Sequence, residues 1–327
     1  MLYFVAIWLR NKLYDLRVFK SQRVNTPTLV IGNLTVGGTG KSPHTMWIAE
    51  TLNEEAALLS RGYGRKSRGF VLASPNSNFL DIGDEPFMML KRFAHRNMAV
   101  CEDRIYGCKQ IRALFPQTQL ILLDDAYQHR RLQADRYVLL CDYARPFYAD
   151  WMLPAGHLRD ICSQASRADS VWVTKCPPDL GEQARAQIVN QIGKHSSAPV
   201  FFSRYTYSVP RQIASGNEVW INDAPTWAFC GIAQPGSFED YTRSHFTIEK
   251  FTAFNDHHHF SEAETNKMIS WLKADSRHQL LTTEKDAMRL LHLEELANGK
   301  VFQLPLSIAW IGSSPHDLIR SWFSTMN

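Results

Sequence analysis

GNLTVGGTGKS, residues 32–42, decides how this chain is read. It follows the apolar run Thr28–Gly32 and precedes a helical stretch from Pro43 to Leu52. Strand, glycine-rich loop, Lys-Ser and helix in that order form the context of a P-loop. The glycines let backbone N–H groups close around phosphate oxygens without Cβ clashes, and the helix start adds its positive dipole end. Thr35, Val36, Gly37, Gly38, Thr39, Gly40, Lys41 and Ser42 are the expected nucleotide cradle. Lys41 is expected on the β- and γ-phosphates of ATP, and the Ser42 hydroxyl on Mg²⁺. The general pattern G-x-x-x-x-G-K-[ST] would put glycine at position 35, where this chain has Thr35. Pro43 suits the first turn of a helix.

A second signal stands some eighty residues on, in LILLDDAYQH, residues 120–129. An apolar strand ending in a carboxylate is the Walker B arrangement, which holds Mg²⁺ directly or through water beside the P-loop. Adjacent acids are costly to keep charged without a cation. Asp124 and Asp125 are therefore the metal candidates, with direct contact open between them. An acidic pair after a strand also suits a helix cap; the preceding P-loop favours the metal.

Outward from these motifs, short apolar runs alternate with helical segments. Further strands are expected at Ala57–Ser60, Met98–Cys101, Tyr137–Cys141, Val171–Thr174 and Val200–Tyr207. This is the pattern of an α/β, P-loop NTPase-like parallel sheet with helices on both faces. Its functional loops are expected at the carboxyl ends of the strands. A turn-rich stretch, 208–224, marks a junction. The expected division is an N-terminal helix in 1–24, a P-loop domain in 25–210 and a smaller α/β domain in 211–327. Strands at Trp227–Cys230 and Leu280–Thr282, with helices at Glu262–Lys273 and near Asp286–Ala297, belong to the last.

The bulk numbers agree with a folded, two-domain chain: 327 residues, 45% hydrophobic and 21% charged. A formal charge of +4 selects neither nucleic acid nor membrane. The six cysteines form no CxxC pair and read as reduced, mostly buried thiols. Residues 2–19 can form a helix in which apolar side chains are interspersed with Arg10, Lys12 and Arg17. Its apolar run is far short of the ~20 residues that span a bilayer, and it lacks a signal-peptide cleavage pattern. It suits either packing on the domain or lying in a membrane interface.

Taken together, VIGNLTVGGTGKSP (30–43), LSRGYGRKSRG (59–69), GDEP (83–86), DDAYQH (124–129), LPAGHLRD (153–160), RADSVWVTK (167–175), FNDHHHF (254–260) and TTEKDAMRL (282–290) resemble the tetraacyldisaccharide 4′-kinase family of lipid A biosynthesis. Thr35 is itself typical of that family. Asp160 stands where the family usually has Glu, Ala126 where many members have Gly, and Asn255 where many have Pro. The resemblance implies transfer of the γ-phosphate of ATP to the 4′-hydroxyl of a tetraacyldisaccharide 1-phosphate, giving lipid IVA. It implies Asp84 as catalytic aspartate and His257 as its histidine partner, together able to orient the acceptor hydroxyl and take its proton. These two residues lie in different expected domains, so joint action would need a cleft that closes. Arg61, Arg65, Arg68 and Arg159 are the candidates for the substrate's phosphate or the transferring phosphoryl group. Glu284 and Lys285 are left between structural and cleft-lining roles. Because the acyl chains stay in the bilayer, the resemblance favours the interfacial reading of the N-terminal helix and a peripheral place at the cytoplasmic face of the inner membrane of a Gram-negative bacterium. It implies no nucleic acid and no obligate protein partner.

Other classes are weighed against this one. A nucleotide-dependent metallochaperone would use the three histidines of DHHH, but no CxxC accompanies them. A membrane-bound nucleotide switch would keep the P-loop and Walker B acids and need no Asp84.

Overall fold

The structure, a computed structural model, describes residues 2–52, 56–221, 223–232, 234–256, 258–291, 293–297 and 299–326. The chain forms two compact units: Met1–Tyr205 with Ile308–Asn327, and Thr206–Ser307.

The first unit is built on a sheet whose strands follow the apolar runs. These are β1 (Thr28–Asn33), β2 (Ala56–Ser60), β3 (Val71–Leu72), β4 (Met98–Val100), β5 (Leu120–Asp124), β6 (Arg136–Asp142), β7 (Ser170–Thr174) and β8 (Val200–Tyr207). Completely buried runs such as β1, β2 and β5 have no polar face because both sides of a parallel sheet are covered. The described order is β14-β8-β7-β6-β1-β5-β2-β4-β3, where β14 is Leu306–Ile311. Pairing is parallel from β8 through to β4, and β3 closes the far edge antiparallel. β1 lies between β5 and β6. Sequence neighbours therefore diverge to either side of it, and the crevice at its carboxyl end is the switch point where such sheets take ligands.

The helices α1 (Leu2–Asp15), α2 (Lys41–Leu52), α3 (Phe79–Ile82), α4 (Asp84–Arg92), α5 (Arg104–Leu114) and α6 (Glu182–Gly193) belong to this unit. α1 stops at Asp15 rather than running to 19, because Arg17 turns into the left-handed region at φ 59°. Asn11 is buried on α1, whereas Phe4, Val5, Trp8 and Leu9 are exposed. Among the described residues no helix is long and apolar enough to cross a membrane.

The second unit carries β9 (Arg211–Gln212), β10 (Thr226–Cys230), β11 (Ile248–Ala253), β12 (Gln279–Thr283) and β13 (Val301–Leu304), in the order β11-β10-β12-β13-β9. Pairing is parallel except at β9. The helix expected near 286–297 is instead two short pieces, Glu284–Ala287 and Glu294–Ala297.

Residues 308–327 depart from the expected division. They were placed in the C-terminal domain and instead return to the first unit. The reason is aromatic: the Trp310 ring packs 4.9 Å from Trp47 and 5.0 Å from Trp172, both edge-on. Such pairs each add about 0.5–1.5 kcal/mol beyond area burial. β9, at 211–212, belongs to the second unit, whose contacts begin at Thr206.

Candidate active site

The loop of residues 33–40 connects β1 to α2, as the motif requires. Gly37 and Gly40 have φ 96° and 87°, a region that L side chains avoid. At Gly40 a Cβ would also strike the Tyr205 hydroxyl. Above Gly38 a Cβ would meet nothing within 4 Å, so the loop is open at that point. Asn33 braces it from below, its Nδ2 donating to Thr39 Oγ1 at 2.6 Å.

LPAGHLRD lies alongside the loop. Val36 N donates to His157 O at 2.7 Å, and Arg159 N to Leu34 O at 2.9 Å. This pairing delivers the Arg159 guanidinium to Asn33 Oδ1 at 2.6 Å and to the Asp125 carboxylate. Lys41 Nζ is 3.9 Å from Asp125 Oδ1. Burial alone would raise Asp125, but Lys41 and Arg159 hold it below the usual carboxylate range.

Asp124 has the opposite environment. It is buried and accepts from Thr45 Oγ1 at 2.9 Å and Ser60 Oγ at 3.3 Å. Burial, then the neighbouring Glu85 and Asp125 charges, push it up to about 7. Ser42 Oγ donates to Glu85 Oε2 at 2.7 Å. Ser42, Glu85, Asp124 and Asp125 thus gather oxygen atoms beside the open loop. Among the described residues no three His, Cys, Asp or Glu side chains form a ready-made metal cage.

Glu85 places Asp84 here too. α4 starts at Asp84 after Gly83, whose φ is 93°. With the next residue bonded to the P-loop serine, half-buried Asp84 stands beside the same loop. Arg104 completes the frame, giving its guanidinium to Cys101 O at 2.8 Å and Asp125 O at 3.3 Å. Glu85, Asn33 and Arg104 were not singled out from sequence. Glu85 was within sight in GDEP and Asn33 in GNLTVGGTGKS; Arg104 carries no local signature.

The remaining candidates differ in their surroundings; Arg61 directly follows Ser60, whose hydroxyl donates to Asp124. Arg65 is committed to Glu102 at 2.5 Å and to Gly69 O at 2.7 Å, so its charge folds the 61–69 loop rather than facing the P-loop. Arg61 and Arg68 are exposed on that loop. His257 lies outside the described residues. Within the second unit its sequence neighbours are tied down. Asp256 pairs with Lys285 at 3.0 Å, and His258 Nε2 meets Glu264 Oε2 at 3.0 Å. Arg289 NH1 donates to His258 O at 3.1 Å while pairing with buried Asp286 at 3.2 Å. Lys285, left between two roles by the sequence, thus holds Asp256, and Glu284 is buried. Asp160 accepts from Asn11 Nδ2 at 2.7 Å and anchors α1.

His44, one turn into α2, sets a pH dependence. Its Nδ1 is 2.7 Å from Gly40 O and its Nε2 2.9 Å from Ser203 Oγ, fully buried. Burial drives its pKa from 6.5 to about 4. Between those values the unfolded chain binds a proton that the folded chain refuses. Stability therefore rises with pH across that window, and this share is complete above it. Denaturant titrations from pH 4 to 7 should show that slope, and His44→Asn should flatten it; an unchanged slope in the variant would contradict the assignment. His129, also lowered to about 4 chiefly by burial, supplies a second share.

Comparison with known proteins bears on the same site. A family model described as tetraacyldisaccharide-1-P 4′-kinase matches residues 1–322. A protein of Phocaeicola vulgatus named tetraacyldisaccharide 4′-kinase is 36% identical over 325 residues, covering 95% of this chain and 88% of that one. One of the same name from Flavobacterium johnsoniae is 38% identical over 317 residues, covering 95% and 91%. Among solved structures, LpxK from Aquifex aeolicus in complex with ATP superposes with a TM-score of 0.80 at 27% identity, covering 99% of this chain and 96% of that one.

Proposed function

We propose, from the premise that this chain belongs to the tetraacyldisaccharide-1-P 4′-kinase family, a mechanism in which Lys41, Ser42, the Asp124–Asp125 pair and Asp84 act on one nucleotide. The protein is an ATP-dependent kinase of lipid A biosynthesis that phosphorylates the 4′-hydroxyl of tetraacyldisaccharide 1-phosphate. The observation that carries the reading is the convergence of the P-loop, the acids ending β5 and the start of α4 at the carboxyl end of β1.

In this mechanism the backbone N–H groups of 37–40 and Lys41 hold the β- and γ-phosphates. Ser42, Asp124, Asp125 and Glu85 are the residues that would hold Mg²⁺, which when bound neutralises charge on the phosphate oxygens. Arg159 keeps Asp125 ionised and oriented. The acceptor oxygen forms a bond to the γ-phosphorus as the bond to the bridging oxygen breaks. ADP leaves, and the hydroxyl proton passes to the Asp84 carboxylate. His257 is proposed to orient that carboxylate or the hydroxyl. Purified protein with MgATP should release ADP rapidly only when tetraacyldisaccharide 1-phosphate is present; rapid release indifferent to the lipid would point to a nucleotide switch instead.

The site of action is proposed to be the cytoplasmic face of the inner membrane, with α1 in the interface. α1 divides along its length. Its second half is docked: Arg10 NH2 donates to Gln128 O at 2.8 Å, Asn11 is buried and Asp15 pairs with Arg130 at 2.8 Å. Its first half stands out, with Phe4, Trp8 and Leu9 45%, 43% and 49% exposed, free to enter a headgroup layer. Burying a large apolar side chain contributes about 1.5–3 kcal/mol. Trp8→Glu with Leu9→Glu should therefore weaken sedimentation with anionic vesicles by roughly 10–100-fold, with ATP binding intact. Unchanged sedimentation would remove α1 as the anchor.

A further inference from the structure

Most cations around the P-loop have partners among the described residues. Lys41 and Arg159 face Asp125, Arg104 caps carbonyls, and Lys175 Nζ sits 2.8 Å from Asp142 Oδ2. Arg145 makes no side-chain hydrogen bond or ion pair with any described residue, although it is half-buried and its guanidinium NH2 comes 3.6 Å from where a Cβ on Gly37 would stand. Five N–H donors held beside a bare glycine loop, with no acceptor of the protein's own, call for an anion.

The backbone that presents Arg145 is fixed. Asp142, buried at the end of β6, accepts at Oδ1 from Ala144 N at 3.0 Å and Arg145 N at 3.3 Å. Its Oδ2 is the partner of Lys175. The residue before Lys175 reaches the P-loop itself, Thr174 Oγ1 donating to Thr39 O at 2.9 Å. On the other side, Phe147 is buried and anchors the chain directly after Pro146. The turn after β6, the end of β7 and the loop after β1 are therefore locked to one another, which fixes the backbone from which Arg145 reaches the P-loop.

We propose that Arg145 contacts the γ-phosphate of the bound nucleotide from the β6 flank of the P-loop. Asp125 and its partner Arg159 approach that loop from the other flank, so the transferring phosphoryl group lies between that ion pair and the Arg145 guanidinium. The proposal rests on the kinase reading above and deepens it by naming a residue that touches substrate. An arginine on a transferring phosphoryl group is worth about 10³–10⁵ in kcat where it is the main charge. Beside Lys41 a smaller share is expected, roughly 10²-fold.

The test compares the parent protein with Arg145→Ala and Arg145→Lys. Binding of a non-hydrolysable ATP analogue and of ADP, each with Mg²⁺, is measured by calorimetry, and turnover is measured with the lipid acceptor. Arg145→Ala should lose at least ~10-fold in analogue affinity and ~10²-fold in kcat/KM, with ADP affinity within ~3-fold. Arg145→Lys should recover part of both losses, since lysine keeps the charge but not the fork. Analogue binding within ~3-fold of the parent in a well-folded Arg145→Ala protein would overturn the proposal, as would an equal loss for ADP, which would move the contact away from the terminal phosphate. If alanine prevents folding, Arg145→Lys decides on the same criteria. Should the parent bind nucleotide but phosphorylate no lipid, the kinase reading fails while the binding comparison still judges Arg145.

Discussion

Lys41→Ala is expected to lower turnover by about 10³-fold or more while leaving a folded protein. Lys41 is the P-loop cation, 15% exposed at its side chain and 3.9 Å from Asp125. Its loss acts on the nucleotide and on the acids together. The phosphate oxygens lose their charge partner, and Asp124, which Lys41 draws downward, is left to burial and to the charges of Glu85 and Asp125. Protonated Asp124 is a poorer partner for a cation, so the variant should also need more Mg²⁺. Stability should change little, because Arg159 remains on Asp125. Initial rates over a Mg²⁺ series, with thermal unfolding alongside, check both parts. A variant turning over within threefold of the parent would remove the P-loop from catalysis.

Asp84→Asn is expected to lower kcat by about 10²–10⁴-fold with nearly unchanged ATP affinity, as removal of a proton acceptor does. The competing role is structural. Asp84 opens α4, and a carboxylate in a helix's first turn stabilises it by about 0.3–1 kcal/mol. The two roles separate cleanly: loss of a cap lowers the unfolding temperature and spares kcat, whereas loss of the base does the reverse. Equal losses in kcat and ATP affinity would argue that Asp84 only supports its neighbour Glu85 on Ser42.

Much of this was legible in the sequence because parallel-sheet chemistry is local. β1, the P-loop and α2 are contiguous, and LILLDD announces both a buried strand and its terminal acids. Those acids were read as equivalent. Only packing separates them, giving Asp124 two hydroxyl donors and Asp125 two cations. The arginines illustrate the same limit. Arg65 and Arg159 look alike as residues in glycine-containing loops, yet one neutralises Glu102 and the other reaches the active-site carboxylate. Arg145 carries no motif, and its place beside Gly37 follows from strand order. The return of 308–327 to the first unit was hidden for a similar reason. It depends on Trp310 meeting Trp47 and Trp172, partners more than a hundred residues away.

The most direct measurement is transfer of label from γ-labelled ATP to tetraacyldisaccharide 1-phosphate in detergent micelles, with Mg²⁺ and with EDTA, followed by location of the new phosphate. Label at the 4′-position that appears with Mg²⁺ and vanishes with EDTA is the result expected. Nucleotide binding without label in the lipid, or label that survives EDTA, would contradict the mechanism drawn from Lys41, Ser42, Asp124 and Asp125.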